Sequence, residues 1–188
     1  MQLTHKQFNV LYALSRRPGI TQQQLAGECE IGLTAANAAV IDLSEAGLIK
    51  DARLTPKGMT ALKPYSVDNA VILAAGLSSR FAPISYERPK GLLKVRGEVL
   101  IERQIEQLHE AGIFDIVVVV GYKKESFYYL EDKYGVKIIV NCAYAERNNN
   151  SSIMLVREML GNTYICSSDN NFEKNPFTDH AWKAYYSA

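Results

Sequence analysis

The stretch that most constrains the fold is a short apolar run, residues 70–74, followed closely by a glycine. The run has the length and composition of a buried parallel strand, and Gly76 would close it in a tight turn. Residues around the turn have small side chains or none, and Gly76 can adopt a positive φ without strain. Such a loop lets backbone N–H groups approach an anion closely. Arg80 then adds a planar donor fork and Lys90 a mobile positive charge, a combination that suits a nucleoside triphosphate.

The alternative interpretation of this stretch is an ordinary structural turn, because an apolar strand followed by glycine occurs in every doubly wound domain. The sequence contains no Gly-x-x-x-x-Gly-Lys-Ser/Thr motif, which excludes a P-loop, and it lacks the further glycines of a dinucleotide fingerprint. Because Pro83 and Pro89 accompany Arg80 and Lys90 at this spacing, we favour a phosphate-binding loop.

Composition narrows the class of protein. The chain has 188 residues, enough for one large or two small domains, and its net charge of +1 indicates neither a nucleic-acid partner nor a membrane surface. No apolar run is long enough to span a bilayer, and the N-terminus lacks a signal-peptide core. The three cysteines, Cys29, Cys142 and Cys166, fit neither a disulfide framework nor a zinc site. We therefore expect a cytoplasmic protein without a structural metal.

Residues 1–65 predict a small helical domain. Thr4, Thr21 and Thr34 are candidate caps of three successive helices, and Thr21 heads a capping box. A tiny hairpin and a last helical turn beginning at Pro56 would follow. Helix, helix-turn-helix and wing in this order resemble the winged helix-turn-helix domains of bacterial regulators.

The charge of this domain makes a weak case for DNA binding. The third predicted helix offers Asn37 but no Lys or Arg, and it carries Asp42 and Glu45. Residues 1–65 contain seven Lys or Arg and five Asp or Glu, a net charge of +2. We favour a docking or homodimerisation role, with sequence-specific DNA binding as the alternative.

Residues 66–188 alternate strands with helices, which predicts an α/β, Rossmann-like domain with a mostly parallel sheet. Among these elements are a β-branched central strand at 116–120 and a helix at 125–134 that Gly135 would end. Ligands of such sheets bind at the carboxyl ends of the strands. Gly76, Asn141 and Asp169 all follow predicted strands and therefore meet at that edge. Asp169 is the candidate Mg²⁺ ligand, because Mg²⁺ takes one or two carboxylates together with substrate phosphates. A solvated aspartate in a strand-end turn is the alternative.

The string Leu-Ala-Ala-Gly-x-x-x-Arg-x-x-Pro, followed by Pro-Lys-x-Leu, resembles the signature of nucleotidyltransferases that make nucleoside-diphosphate sugars and CDP-alcohols. The stretches 120–130 and 148–153 are similar to the bacterial choline-phosphate cytidylyltransferases. The resemblance covers roughly Val67 to the C-terminus. It implies transfer from CTP to phosphocholine with release of pyrophosphate. A sugar-1-phosphate nucleotidyltransferase using another nucleoside triphosphate, and a transcriptional regulator whose second domain senses a nucleotide, are the alternatives.

The resemblance also implies roles for individual residues. Arg80 and Lys90 are the candidate catalytic residues, neutralising the phosphates, and the aspartate after the last strand, Asp169, is the magnesium ligand. Asn141 and Asn149 would lie near the nucleotide base. Asn149 as a helix cap, and Arg80 with Lys90 as a surface pair, are the alternatives. The complete set of candidate nucleotide-binding residues is Leu73, Ala74, Ala75, Gly76, Ser78, Ser79, Arg80, Asn141 and Asn149.

One departure from the family concerns length. A complete catalytic domain of this kind is considerably longer, and its second half supplies another metal carboxylate and the acceptor pocket. We therefore expect a C-terminally truncated chain that retains nucleotide binding and turns over substrate feebly or not at all.

Overall fold

The computed structural model describes residues 2–77, 82–146 and 149–186. The chain forms two compact units. The first comprises residues up to Ser66 together with the segment from His180, and the second comprises Val67–Asp179. Within the described part of the chain, none of the helices combines the length and the apolarity that crossing a bilayer requires.

The first unit is a three-helix arrangement with a small wing. Thr4 and Thr21 each accept a hydrogen bond from the backbone three residues on, and Gln7 and Gln24 complete the two capping boxes. The predicted starts of the first two helices are thus confirmed. The elements are α1 (His5–Arg16), α2 (Gln22–Glu28), α3 (Leu33–Glu45), β1 (Ile49–Lys50), β2 (Arg53–Leu54) and α4 (Pro56–Leu62).

The predicted cap of the third helix is wrong. The N-cap of α3 is Gly32, whose backbone is extended, and it makes no side-chain capping bond. Thr34 is already inside the first turn of α3, with an exposed side chain. Helical periodicity predicts where a helix lies, but it does not predict its first residue, which depends on where the preceding turn ends.

The segment 180–186 packs on the first unit, whereas the sequence analysis assigned it to the second domain. The Trp182 ring stacks on His5 with 4.7 Å between ring centroids, and its Nε1 donates to the Leu3 carbonyl at 3.2 Å. The Ala181 N–H donates to the Tyr65 carbonyl at 2.8 Å. These contacts join residues far apart in sequence, so local sequence patterns could not predict them.

The second unit alternates strands and helices around a parallel sheet. The elements of this unit are β3 (Asn69–Ala74), α5 (Ile84–Glu87), β4 (Lys94–Val95), β5 (Glu98–Val99), α6 (Leu100–Glu110), β6 (Ile116–Val120), α7 (Tyr129–Tyr134), β7 (Lys137–Val140), α8 (Asn149–Leu155) and β8 (Thr163–Ser167). Four of the strands form the parallel sheet in the order β7-β6-β3-β8, which confirms the predicted α/β class. β6 is buried on both faces, which explains its continuous run of β-branched residues.

Two local details of this unit differ from the sequence analysis. β4 and β5 form a small antiparallel hairpin that was not predicted, and both of its turn residues, Arg96 and Gly97, have positive φ. The predicted helix 125–134 is divided into a 3₁₀ turn, Lys124–Phe127, and α7. It ends as predicted at Gly135, which has φ +70°.

We predict that Gly58→Ala destabilises the first unit by about 1–3 kcal/mol, because the added methyl group overpacks a tight backbone contact. A Cβ on Gly58 would lie 2.1 Å from the Leu48 carbonyl oxygen. Urea unfolding followed by fluorescence measures this directly, since Trp182 is the single tryptophan of the chain and belongs to this unit.

Gly27→Ala is the matched control. Gly27 lies in α2 with open space around its Cβ position, so alanine there should leave stability unchanged or raise it by about 0.5–1 kcal/mol. Equal unfolding midpoints for the two variants would contradict the prediction.

Candidate functional site

Backbone hydrogen bonds join the carboxyl ends of the four parallel strands into one edge. The Ser168 N–H donates to the Leu73 carbonyl at 3.1 Å, and the Tyr122 N–H donates to the Ala75 carbonyl at 3.2 Å. On the other side of β6, the Asn141 N–H donates to the Val120 carbonyl at 2.8 Å. The residues that follow all four strands are therefore held together on one surface, as predicted for a parallel sheet.

The predicted phosphate loop begins at the centre of this edge. Ala74 and Ala75 are buried, Leu73 is partly buried, and Gly76 is exposed. Gly76 does not use the positive φ available to glycine. Among the described residues other than its two chain neighbours, none has an atom within 4 Å of the position that a Cβ would occupy. Its missing side chain therefore leaves the loop backbone open on the solvent side. The candidate residues Ser78, Ser79 and Arg80 lie outside the described part of the chain, so their roles stay predictions.

The structure brings Lys90 and Asp169 together although 79 residues separate them. The Lys90 ammonium lies 3.3 Å from Oδ2 of Asp169, with side chains 21% and 37% exposed, so the pair faces solvent at the rim. The Ser167 hydroxyl donates to the other carboxylate oxygen. A positive and a negative group thus stand at the end of β8, within the reach of an arriving ligand.

Burial by itself raises the pKa of the Asp169 carboxyl, but the Ser167 hydroxyl and the Lys90 ammonium outweigh burial. The net result is a pKa below the usual value for an aspartate. Asp169 is therefore held as a carboxylate, the form that a cation requires.

Asn141 lies directly after β7. The residue is 2% exposed, and its Nδ2 donates to the hydroxyls of Ser151 and Ser152, both at 2.9 Å. Its Oδ1 accepts from the Ala143 N–H at 3.0 Å. The amide thus holds the start of α8 against the end of β7, and its predicted place near a nucleotide base stays a prediction. Asn149 is the first residue of α8, and its side chain lies outside the described part of the structure.

Two glycines that sequence analysis passed over allow close backbone packing at this edge. A Cβ on Gly91 would lie 2.9 Å from the Ser168 side chain, and a Cβ on Gly121 would lie 2.7 Å from the Ala75 carbonyl oxygen. Gly91 follows Lys90 directly, so its contact seats the lysine against β8. The signals were present as Pro-Lys-Gly and Val-Gly-Tyr, but a glycine in a sequence does not reveal what it touches.

A cavity of about 330 Å³ opens at the ends of β6 and β7. Of the residues that line this cavity, Asn141 was predicted from the sequence as a site residue, whereas Lys123 and Lys124 were not. The lining residues are Gly121, Lys123, Lys124, Glu125, Val140, Asn141, Cys142 and Tyr144.

Comparison with known families agrees with this geometry. A family model described as the MobA-like NTP transferase domain matches residues 70–167, slightly more than half of the chain. The chain belongs to that family. A second model, described as the MarR family, matches residues 1–54. The predicted nucleotidyltransferase family and winged-helix N-terminus are therefore confirmed.

Within the NTP transferase family, the similar proteins include cytidylyltransferases. The choline-phosphate cytidylyltransferase of Streptococcus pneumoniae is 47% identical over 117 residues, covering 62% of this chain and 51% of that protein. The 2-aminoethylphosphonate cytidylyltransferase of Lancefieldella rimae is also 47% identical, over 104 residues, covering 54% and 42%. The chain spans about half the length of the curated relatives it matches.

A solved structure gives the same relationship in three dimensions. The CTP:phosphocholine cytidylyltransferase from Streptococcus pneumoniae superposes with a TM-score of 0.58 and 49% sequence identity. The match covers 59% of this chain and 49% of that one. The fold of the matched part is thus similar to that of a cytidylyltransferase.

We predict that alanine destabilises the second unit at one glycine of this edge and leaves its stability nearly unchanged at another. Gly91→Ala should destabilise the second unit by about 1–3 kcal/mol, because its methyl group meets Ser168. Gly76→Ala should change stability by less than about 0.5 kcal/mol, because its Cβ would contact none of the described residues beyond its chain neighbours. Urea unfolding followed by far-UV circular dichroism measures both, and a Gly76→Ala loss as large as that of Gly91→Ala would contradict the assignment.

We also predict a specific pH dependence for Asp169. Because its folded-state pKa lies below the unfolded value of about 3.9, its carboxylate stabilises the fold above that pH. This contribution is lost as the pH falls through the folded-state value. Asp169→Asn should therefore melt below wild type at pH 6 and approach it as the pH falls below the unfolded value and through the folded-state pKa, with Ser167→Ala intermediate. Parallel curves of melting temperature against pH would show that the carboxylate contributes nothing.

Proposed function

We propose that the second unit binds CTP at the carboxyl edge of its sheet, as part of an enzyme that makes a CDP-alcohol. The observation that carries the proposal is the pairing of Lys90 with Asp169 beside the open backbone at Gly76. This arrangement offers a cationic group for phosphates and an anionic group for a metal ion at one strand-end surface. The cytidylyltransferase names of the similar proteins support CTP as the nucleotide.

The proposed reaction is transfer of a cytidylyl group. An oxygen of the acceptor phosphate attacks the α-phosphorus of CTP, the bond to the bridging α–β oxygen breaks, and pyrophosphate leaves with that oxygen. Such a transfer asks little covalent chemistry of the protein, so positioning and charge neutralisation carry the catalysis. In this proposal Lys90 neutralises the α-phosphate or the incoming phosphate, the Gly76 loop donates backbone N–H groups, and Arg80 neutralises the outer phosphates.

The residues present fit a magnesium ion bound together with the nucleotide. Asp169 supplies a hard carboxylate oxygen that the Ser167 and Lys90 contacts keep ionised. Mg²⁺ usually combines one or two carboxylates with substrate phosphate oxygens. When bound, the ion would supply charge neutralisation at the phosphates.

For the acceptor we propose either the phosphate ester of a small amino alcohol or a small aminoalkylphosphonate, with phosphocholine as the first candidate. The two relatives at 47% identity are named for choline phosphate and 2-aminoethylphosphonate, which both join a phosphorus oxyanion to a cationic nitrogen. A sugar 1-phosphate is the alternative acceptor. It is supported by the UTP–glucose-1-phosphate uridylyltransferase of Haloferax volcanii, which is 32% identical over 109 residues. Since the chain spans half of its relatives, the activity belongs to the whole enzyme in this proposal.

For the first unit we propose a docking or dimerisation role. α3 contains no Lys or Arg, which gives it little to offer phosphates. The match to the MarR family favours DNA binding as the second candidate. In that case nucleotide binding by the second unit would regulate DNA binding by the first.

We also propose a cytoplasmic location. Cys29, Cys142 and Cys166 are all free thiols, as is usual in a reducing compartment.

We predict that CTP with Mg²⁺ raises the melting temperature more than UTP, dTTP or ATP does. A ligand that binds only the folded state, at about a hundred times its dissociation constant, adds about 2.7 kcal/mol of stability. Scanning calorimetry of the full chain with each nucleotide, with and without Mg²⁺, makes the measurement. Asp169→Ala should reduce the CTP shift and remove its dependence on Mg²⁺.

Gly76→Ala separates ligand contact from protein stability in the same experiment. Because a Cβ at this position would contact none of the non-neighbouring residues that the structure describes, we expect an unchanged melting temperature without nucleotide and a smaller CTP shift. A larger shift with UTP or dTTP than with CTP would favour a sugar nucleotidyltransferase. The absence of any shift would overturn nucleotide binding by this chain.

A further inference from the structure

The segment that carries Lys90 is held at two points. We call residues 84–92 the lysine arm. Near its end, Lys90 pairs with Asp169, and the Gly91 backbone packs on Ser168. At its start, the ammonium group of Lys123 donates to the backbone carbonyl oxygens of Tyr86 and Glu87, at 2.5 and 3.0 Å. The arm therefore connects the turn after β6 with the end of β8, the two strands that flank β3.

The Lys123 contact supplies hydrogen-bond donors to carbonyl groups of the arm. α5 is a single helical turn, and its last carbonyl groups have no partners farther along the helix. A cation near a helix C-terminus satisfies such carbonyls and interacts favourably with their dipoles. Lys123 does so from another part of the chain, 36 residues beyond Glu87.

The backbone of Lys123 supports a specific purpose for this side chain. It has φ 50° and ψ 41°, in the left-handed region that favours glycine or asparagine. A lysine held there, with the preceding Tyr122 N–H bonded to the Ala75 carbonyl, is locally unfavourable and fixed to the end of β3. Such outliers point to function when the surrounding structure holds them in place.

We propose that Lys123 is a positioning residue for nucleotide binding, which holds the lysine arm so that Lys90 faces the phosphates. This inference rests on the proposed function for its ligand, since the phosphates are those of CTP. Lys123 acts through the backbone of Tyr86 and Glu87, and Lys90 makes the contact with the nucleotide. The turn after β6 thereby determines the position of the Lys90 ammonium at the end of β8.

The test compares Lys123→Asn with Lys123→Arg. Asparagine tolerates the left-handed backbone but cannot reach the two carbonyls, whereas arginine keeps a long cationic donor. We expect Lys123→Asn to melt within about 3 °C of wild type without nucleotide and to bind CTP with Mg²⁺ about tenfold more weakly by calorimetry. Lys123→Arg should recover most of the affinity.

Lys137→Asn is the control for the lost charge. Lys137 begins β7, at the opposite end of the sheet, and its exposed ammonium pairs with Asp115. We expect Lys137→Asn to bind CTP within about twofold of wild type. An equal loss of affinity in Lys137→Asn and Lys123→Asn would overturn the proposal, because net charge would then explain both.

Hydrogen exchange without nucleotide tests the same contact independently. Three N–H groups of the arm, those of Tyr86, Arg88 and Leu92, donate to the nearby carbonyls of Pro83, Ile84 and Pro89. They should exchange about tenfold faster in Lys123→Asn, with α6 unchanged. Unchanged exchange in the arm would overturn the positioning role. If wild type bound no nucleotide while the arm still loosened, the proposed function would fail and the Lys123 contact would stand.

Discussion

The second unit depends on the hydrogen bonding of β3 to two parallel neighbours. β3 pairs with β6 on one side and with β8 on the other, although these strands lie about 45 and 95 residues further along the chain. Because all strands run the same way, every loop that leaves their carboxyl ends emerges on one surface. Gly76, Asn141 and Asp169 meet on that surface for this reason alone.

Close approach of backbone segments then determines how the surface is arranged. Gly91 brings the chain after Lys90 onto Ser168, and Gly121 brings the turn after β6 onto the Ala75 carbonyl. A side chain at either position would push the two segments apart. Charged groups complete the arrangement, since Lys90 reaches the carboxylate of Asp169 and Lys123 reaches the carbonyls at the end of α5.

Features predicted correctly from the sequence were those set by neighbouring residues. The capping boxes at Thr4 and Thr21, the helix stop at Gly135 and the buried strand at 116–120 all follow from spacing and backbone preference. The same local rules misplaced the start of α3, because its N-cap is Gly32 rather than Thr34. They also missed the hairpin of β4 and β5, whose two strands are only two residues long.

The sequence by itself determined the parallel α/β class, the family, the order of the longer strands and helices, and the position of Asp169 after a strand, since these depend on periodicity and on short motifs. Only the tertiary structure decided what each side chain touches. It buried the Asn141 amide against Ser151 and Ser152, turned Lys123 towards the lysine arm and placed Trp182 on His5. Those outcomes depend on contacts between residues that are distant in sequence. A one-dimensional pattern records which groups are present; folding the chain decides which of them meet.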